Sequence, residues 1–226
     1  MEIDVQYTLA LAAAWTAYFA LHSALASLRL KRLVAAHAPR LMPAYRLTFN
    51  VAALVLLILP LVLTFANRGP WLWQWQGIGW WVANGVALLA VAGFLWTLRD
   101  YDMNEFWGLR QWRGRVQTVE DQEQLHISPL HRYVRHPWYS LALVILWTRD
   151  MDTNLLVTAT AITLYFVIGS RLEERKLLAC HGEAYREYHA RVPGLVPRPW
   201  RYLDADSARR LATTGPASQQ DGARIP

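Results

Sequence analysis

RHPWYSLALVILWTRDMDTNLLVTATAITLYFVIGSRLEE, residues 135–174, is the stretch whose reading decides the fold. Two polar clusters, Arg135-His136-Pro137-Trp138-Tyr139 and Glu173-Glu174, bracket two apolar runs at residues 138–147 and 155–170. The runs are too short and too close together for anything but a tight membrane hairpin. Such a hairpin returns both clusters to one bilayer surface, where a polar ligand can sit between them. At 1.5 Å per helical residue the first run covers only about 15 Å by itself. It either extends to Asp150 with Arg149 snorkelling or turns back early, and the spanning hairpin is the expectation. The turn offers Asp152 or Thr153 as N-cap of the returning helix.

Working outward, residues 7–28, 47–66 and 78–98 are apolar blocks free of Lys, Arg, Asp and Glu. Each approaches or exceeds the roughly 20 residues that cross a hydrocarbon core. The expected fold is all-α: a polytopic bundle of about five transmembrane helices, the last two forming the hairpin. Pro60 lies inside the second block and is expected to kink it. The first block follows acidic Glu2 and Asp4 rather than a basic segment, unlike a cleavable signal. A composition of 54% hydrophobic and 18% charged residues agrees with a membrane protein.

Charge orients the bundle. Of the 23 Lys and Arg residues, Arg68 and Arg149 fall on one side of the five expected spans; the other 21 lie within residues 29–46, 99–135 and 171–224. The positive-inside bias places the N-terminus outside and the C-terminus in the cytoplasm, in a membrane expected to be the bacterial inner membrane. The net charge of +6 needs no nucleic-acid partner, because topology and anionic headgroups account for it. Trp71, Trp73, Trp75, Trp80 and Trp81 read as an interfacial belt. Residues 1–203 are expected to form one domain, and residues 204–226, rich in Ala, Ser, Thr, Gln and Asp, a disordered tail.

Chemistry-bearing residues concentrate at the basic end. Glu173 and Glu174 diverge by about 100° around their helix. Arg171 and Arg175 lie within intrahelical reach of Glu174, which leaves Glu173 as the ligand-facing carboxylate. Gly182 suits a helix stop. Beyond it, Tyr185, Tyr188 and Val192 share one face of a short amphipathic helix. His126, His131 and His136 recur every five residues, a spacing that matches no standard zinc pattern, so no metal is expected. His136-Pro137 reads as a helix entry, where free N–H groups favour an anionic group. His22, the sole Lys, Arg, Asp, Glu or His within the first three blocks, is expected to hydrogen-bond a neighbour. The segment at residues 99–135 is long for a loop but carries Trp107 and Trp112, so it is expected to pack over the bundle.

In combination these pieces resemble the integral membrane methyltransferases related to isoprenylcysteine carboxyl methyltransferase and the phospholipid methyltransferases. The shared signature R-H-P-x-Y, E-E-x-x-L, F-G-x-x-Y-x-x-Y and V-P-x-x-x-P is met by Arg135 to Tyr139, by Glu173, Glu174 and Leu177, by Gly182, Tyr185 and Tyr188, and by Val192, Pro193 and Pro197. Toward the N-terminus, Leu21-His22-Ser23, Tyr45-Arg46 with Asn50, and Gly108-Leu109-Arg110-Gln111 look like the branch holding the bacterial methanethiol S-methyltransferases and related proteins named for nitric oxide gene clusters. The resemblance implies S-adenosylmethionine as methyl donor, held by Leu125, His126, His131, His136, Pro137, Trp138, Tyr139, Glu173, Tyr185 and Tyr188. It makes His136, Gln111 and His131 the catalytic candidates. The acceptor it implies is a small thiol or a lipid-like molecule entering from the membrane. Relatives carry a tyrosine where this chain has His131 and a phenylalanine where it has His181. An arginine of the prenylcysteine enzymes is Gly169 here, which argues against a carboxylate acceptor. The competing reading is a non-catalytic membrane subunit or haem-associated protein supporting respiratory nitrogen oxide metabolism.

Overall fold

The computed structural model describes residues 3–115, 125 and 127–213. Four helices are long and apolar enough to cross a membrane: α1 (Val5–Ala26), α3 (Met42–Ala66, entered through a 3₁₀ turn at Pro39–Leu41), α4 (Gly77–Thr97) and α8 (Thr153–Arg191). The short α2 (Leu28–His37) follows α1. Two five-residue helices, α5 (Met103–Trp107) and α6 (Leu109–Arg113), pack against α3. The fourth apolar run forms α7 (Pro137–Trp147), whose 11 residues give about 16 Å of helix. A last helix, α9 (Ala205–Thr213), packs against α8.

The bundle is inverted relative to a water-soluble core. Leu54, Val55, Ile58, Leu59, Val62, Leu88, Leu89 and Leu164 are exposed, and so large an apolar belt marks a lipid-facing surface. Polar groups turn inward and pair, as a membrane interior demands. Trp15 Nε1 donates to Thr158 Oγ1 at 3.0 Å, which lies 2.9 Å from Thr64 Oγ1. Thr64 also donates to the carbonyl of Pro60, and α3 runs through that proline without interruption. His22 meets its expected neighbour, Nδ1 lying 2.6 Å from Tyr165 Oη.

α7 is joined to α8 by a tight turn, yet its most extensive packing is against α4. Leu141 packs beside Gly93 of α4, and Trp138 seats its ring on Phe94 and donates to Thr97 Oγ1 at 2.8 Å. At the turn, Asp152 Oδ1 accepts from the amides of Asn154 and Leu155, both at 2.9 Å, and so caps α8 as its sequence indicated. The same turn forms β2 (Met151–Asp152), which pairs antiparallel with β1 (Trp71–Trp73). Trp71, Trp73, Trp75, Trp80 and Trp81 are all exposed around this small sheet.

Gly182 interrupts α8 with φ 53°, a backbone angle that disfavours other residues, so the helix breaks where expected. Beyond it Tyr185, Tyr188 and Val192 are buried together with Leu203, Ala208 and Leu211. The expectation of a structureless segment from Asp204 therefore does not hold for residues 205–213. Asp204 caps α9 through the Ser207 amide, and the apolar side of α9 closes over the two tyrosines. Residues 214–226 lie outside the described residues.

Candidate functional site

The polar end of the bundle is organised by the return of the chain after α8. Val192 caps that helix, and the next residues run beside the entry to α7: Arg135 N donates to Pro193 O at 2.8 Å, and His136 N to Gly194 O at 3.2 Å. Arg132 and Leu203 are joined twice, Leu203 N donating to Arg132 O at 2.9 Å and the Arg132 side chain donating through Nε to Leu203 O at 2.9 Å. Pro137 at the first turn of α7 has no N–H to satisfy, so α7 can start directly behind these contacts.

Within that frame the two adjacent glutamates take opposite parts. Glu174 turns toward α7 and is only 13% exposed. It accepts from Arg135 Nε at 2.8 Å and Nη2 at 2.7 Å, and lies 3.0 Å from His136 Nε2 and 3.3 Å from His189 Nε2. Its expected intrahelical pairing with Arg171 or Arg175 does not form, because the guanidinium of Arg135 is closer and pre-positioned by the Pro193 contact. Burial alone would raise the Glu174 carboxyl. Hydrogen bonds from His136 and Arg135, with the charge of Arg135, outweigh burial and hold it down at about 2. Arg135 also donates through Nη1 to the carbonyls of His189 and Val192. Arg135 is thus a clamp between α7 and the last turn of α8.

Glu173 is 41% exposed. Tyr139 donates its hydroxyl to Glu173 Oε2 at 3.2 Å, and His136 Nδ1 lies 3.6 Å from the same oxygen. The rings of His136 and Tyr139 stack at 5.3 Å, and Tyr139 stacks on Phe166 at 4.4 Å. His136 therefore stands between the two carboxylates, one at each ring nitrogen. Trp138 faces the other way, in contact with Phe94, Tyr101 and Phe106. Tyr101 in turn reaches toward His131, ring centroids 6.3 Å apart. The Tyr101 hydroxyl is pushed up by burial first, then by the charges of Glu173 and Asp100.

The remaining sequence candidates divide by position. His131 Nδ1 lies 2.8 Å from Ser128 Oγ, and its carbonyl accepts from Tyr188 Oη at 2.7 Å. Tyr185 and Tyr188 are buried with rings 5.8 Å apart, and Leu125 packs on their cluster. Burial raises both phenols, joined by Glu174 for Tyr185 and by Tyr185 for Tyr188, so both stay neutral. Gln111 is fully buried on α6, and neither its amide nitrogen nor its oxygen has a hydrogen-bond partner among the described residues. Its helix is seated by Gly108, whose φ of 87° and close approach to Leu47 leave no room for a Cβ. No hydrogen bond joins Gln111 to His136 or Glu173. His126 lies outside the described residues. Sequence reasoning missed Tyr101, His189 and the clamp role of Arg135. A visible signal for the last was the Arg-His pair preceding the helix that faces a glutamate pair.

The chain is similar to several curated proteins named methanethiol S-methyltransferase. It is 36% identical over 146 residues to that of Mycobacterium tuberculosis, covering 58% of this chain and 59% of the relative. It is 33% identical over 138 residues to that of Crocosphaera subtropica, covering 55% and 54%. Against that of Pseudomonas deceptionensis it is 30% identical over 171 residues, covering 69% and 60%. The chain thus spans about half to three fifths of the length of these relatives. No family model matches it, and no solved structure matches at a significant level. The resemblance to the membrane methyltransferases is borne out by these relatives.

Proposed function

We propose that the protein is an S-adenosylmethionine-dependent membrane methyltransferase whose acceptor is a small thiol. The observation that carries this reading is the half-exposed Glu173 carboxylate, held by Tyr139 and His136 at the mouth of a bundle whose relatives are named for thiol methylation. The donor set fits the cofactor's chemistry. A carboxylate suits ribose hydroxyls or a cationic group, and the buried Gln111 amide retains unused hydrogen-bonding capacity among the described residues. Glu173, Tyr139, His136 and His131 would hold the cofactor, which when bound supplies an electrophilic methyl group. Leu125, His126 and the Tyr185–Tyr188 pair would complete the wall.

What the protein contributes is position. An in-line displacement needs donor and acceptor aligned more than it needs acid–base help. With a carboxylate beside each ring nitrogen, His136 acts here as a positioning residue that fixes Tyr139 and Glu173. The acceptor's nucleophilic form is the thiolate, so turnover below the thiol's pKa should rise with pH. An apolar thiol can reach the site through the bilayer, as can a lipid-like acceptor.

Two experiments test the reading. Calorimetric titration of the purified protein with S-adenosylhomocysteine should give saturable binding. A methyl-transfer assay with labelled donor and a panel of thiol, amine and carboxylate acceptors should give labelled product from thiols. Methylation of amines or carboxylates with thiols inert would overturn the acceptor, and absent binding would overturn the cofactor. We also place the N-terminus outside and the polar end in the cytoplasm of a bacterial inner membrane. In a Cys180→Ser background, Gln76→Cys should label from outside and Arg113→Cys only after permeabilisation.

A further inference from the structure

On α8, Val167, Ser170, Arg171 and Glu174 follow one another at helical spacing and share a face, while Glu173 and Phe166 lie about 100° around the helix from Glu174 and Val167. The first face does not look into the Tyr139–Glu173 cradle. It looks outward, onto the segment after Pro193, and the two enclose a cleft of about 490 Å³.

The charge in this cleft is unbalanced. Four arginines line it, at positions 135, 171, 198 and 201, against the single carboxylate of Glu174. Arg135 already neutralises that carboxylate, and Arg201 donates to the carbonyl of Ala190 at the end of α8. Arg171 and Arg198 are exposed and have no ion-pair partner among the described residues. Two cations from separate segments therefore face one cavity with no counter-charge of their own among the described residues.

Between these charges the cleft has apolar walls. Val167 forms one side and Leu195 and Val196 the other. The exposed side of α8 continues from Val167 into Leu164 and Ile168, which belong to the lipid-facing belt. On the opposite wall Val196 is 72% exposed, and Trp200, just past Arg198, is 77% exposed. An exposed tryptophan flanked by arginines at the end of an apolar stretch sits at headgroup depth. The cleft thus opens where acyl chains end and phosphates begin.

We propose that this cleft binds the phosphate of an anionic membrane phospholipid, gripped by Arg171 and Arg198, with an acyl chain lying along Val167, Leu164 and Ile168. A guanidinium pair matches phosphate geometry, and the apolar walls distinguish a lipid from a free anion. The site is separate from the methyl-transfer reading and does not depend on it.

Native mass spectrometry of the full chain in detergent tests the proposal, with phosphatidylglycerol, phosphatidylcholine and inorganic phosphate as the added probes. The protein should retain one phosphatidylglycerol about tenfold more tightly than phosphatidylcholine. A basic side chain near an anionic headgroup is worth roughly fivefold, so Arg171→Gln with Arg198→Gln should abolish that preference. Arg171→Lys with Arg198→Lys should keep most of it, and Arg40→Gln with Arg113→Gln, both exposed elsewhere, should keep all of it. Circular dichroism on each variant separates loss of the site from loss of the fold. Equal retention of the two lipids, an unchanged double glutamine variant, or complete displacement by millimolar inorganic phosphate would overturn the lipid site.

Discussion

At the tryptophan-rich end of the bundle, α3, α4, α7 and α8 are joined largely through backbone groups, bonded to one another or to short capping side chains. β1 pairs with β2, Asp152 caps α8, and Thr153 N donates to Pro70 O. At the polar end the corresponding junction is made by charged side chains, with Arg135, His136 and His189 all converging on Glu174. A junction spread over many backbone bonds loses little with any one side chain. A junction of buried charges concentrates its free energy in a few atoms, and those atoms are the ones that orient Tyr139 and Glu173. The end that carries the candidate chemistry is therefore the end most easily broken by one substitution.

Glu174→Gln should have the largest effect. It leaves the Arg135 guanidinium, only 10% exposed, without its counter-charge. Breaking one partner of a buried pair costs about 3–5 kcal/mol. Thermal unfolding in detergent should show a fall of that size, and Arg135→Gln should match it. If the drop is within about 0.5 kcal/mol, the polar end does not rest on this pair.

Acid separates the ends in the same way. The Glu174 carboxyl is held at about 2 in the folded protein, against roughly 4.3 for a free glutamate. A depressed carboxyl contributes its full stability above the unfolded value and loses it as pH falls through the folded one. Unfolding temperature should therefore decline from about pH 4.5 toward pH 2, and Glu174→Gln should flatten that limb. An unaltered acid limb in the variant would assign the decline to other groups.

Glu173→Gln sharpens the division. Its carboxylate is half exposed and held mainly by Tyr139, so stability should change little. Affinity for S-adenosylhomocysteine should fall by about tenfold or more, since a hydrogen bond to a charged group is worth about 1.5–3 kcal/mol. Parallel losses of stability and affinity in this variant would merge the two roles. At the opposite end, Asp152→Ala removes a cap and should cost about 1 kcal/mol, with cofactor affinity unchanged.

Much of this organisation was legible in the sequence, for reasons that differ by element. Apolar blocks of bilayer length announced α1, α3 and α4, because nothing else needs 20 uncharged residues in a row, and the shorter run behind α8 was read from its place in the hairpin. Asp152 and Gly182 were legible because a cap and a positive-φ break depend on local chemistry. The buried face of Tyr185, Tyr188 and Val192 followed from helical spacing. Pairing of Trp71–Trp73 with Met151–Asp152 left no trace, since strands of three and two residues show no periodicity. The partner of Glu174 was missed because Arg135 is 39 residues away, and intrahelical arginines offered a nearer but incorrect answer. α9 was hidden by composition: Ala, Arg, Asp and Ser read as solvated chain until Leu203, Ala208 and Leu211 find the tyrosine cluster.

The return of the chain beside α7 also dictates an order of assembly. The amides of Arg135 and His136 donate to the carbonyls of Pro193 and Gly194, and the carbonyl of Arg132 accepts from Leu203 N. During synthesis α1, α3, α4, α7 and α8 can be threaded into the bilayer while the polar end stays unmade, because its closing segment leaves the ribosome after them. A nascent chain arrested before Pro193 would hold the membrane helices without a finished pocket. Closure of the polar end therefore follows the insertion of α7 and α8 rather than guiding it.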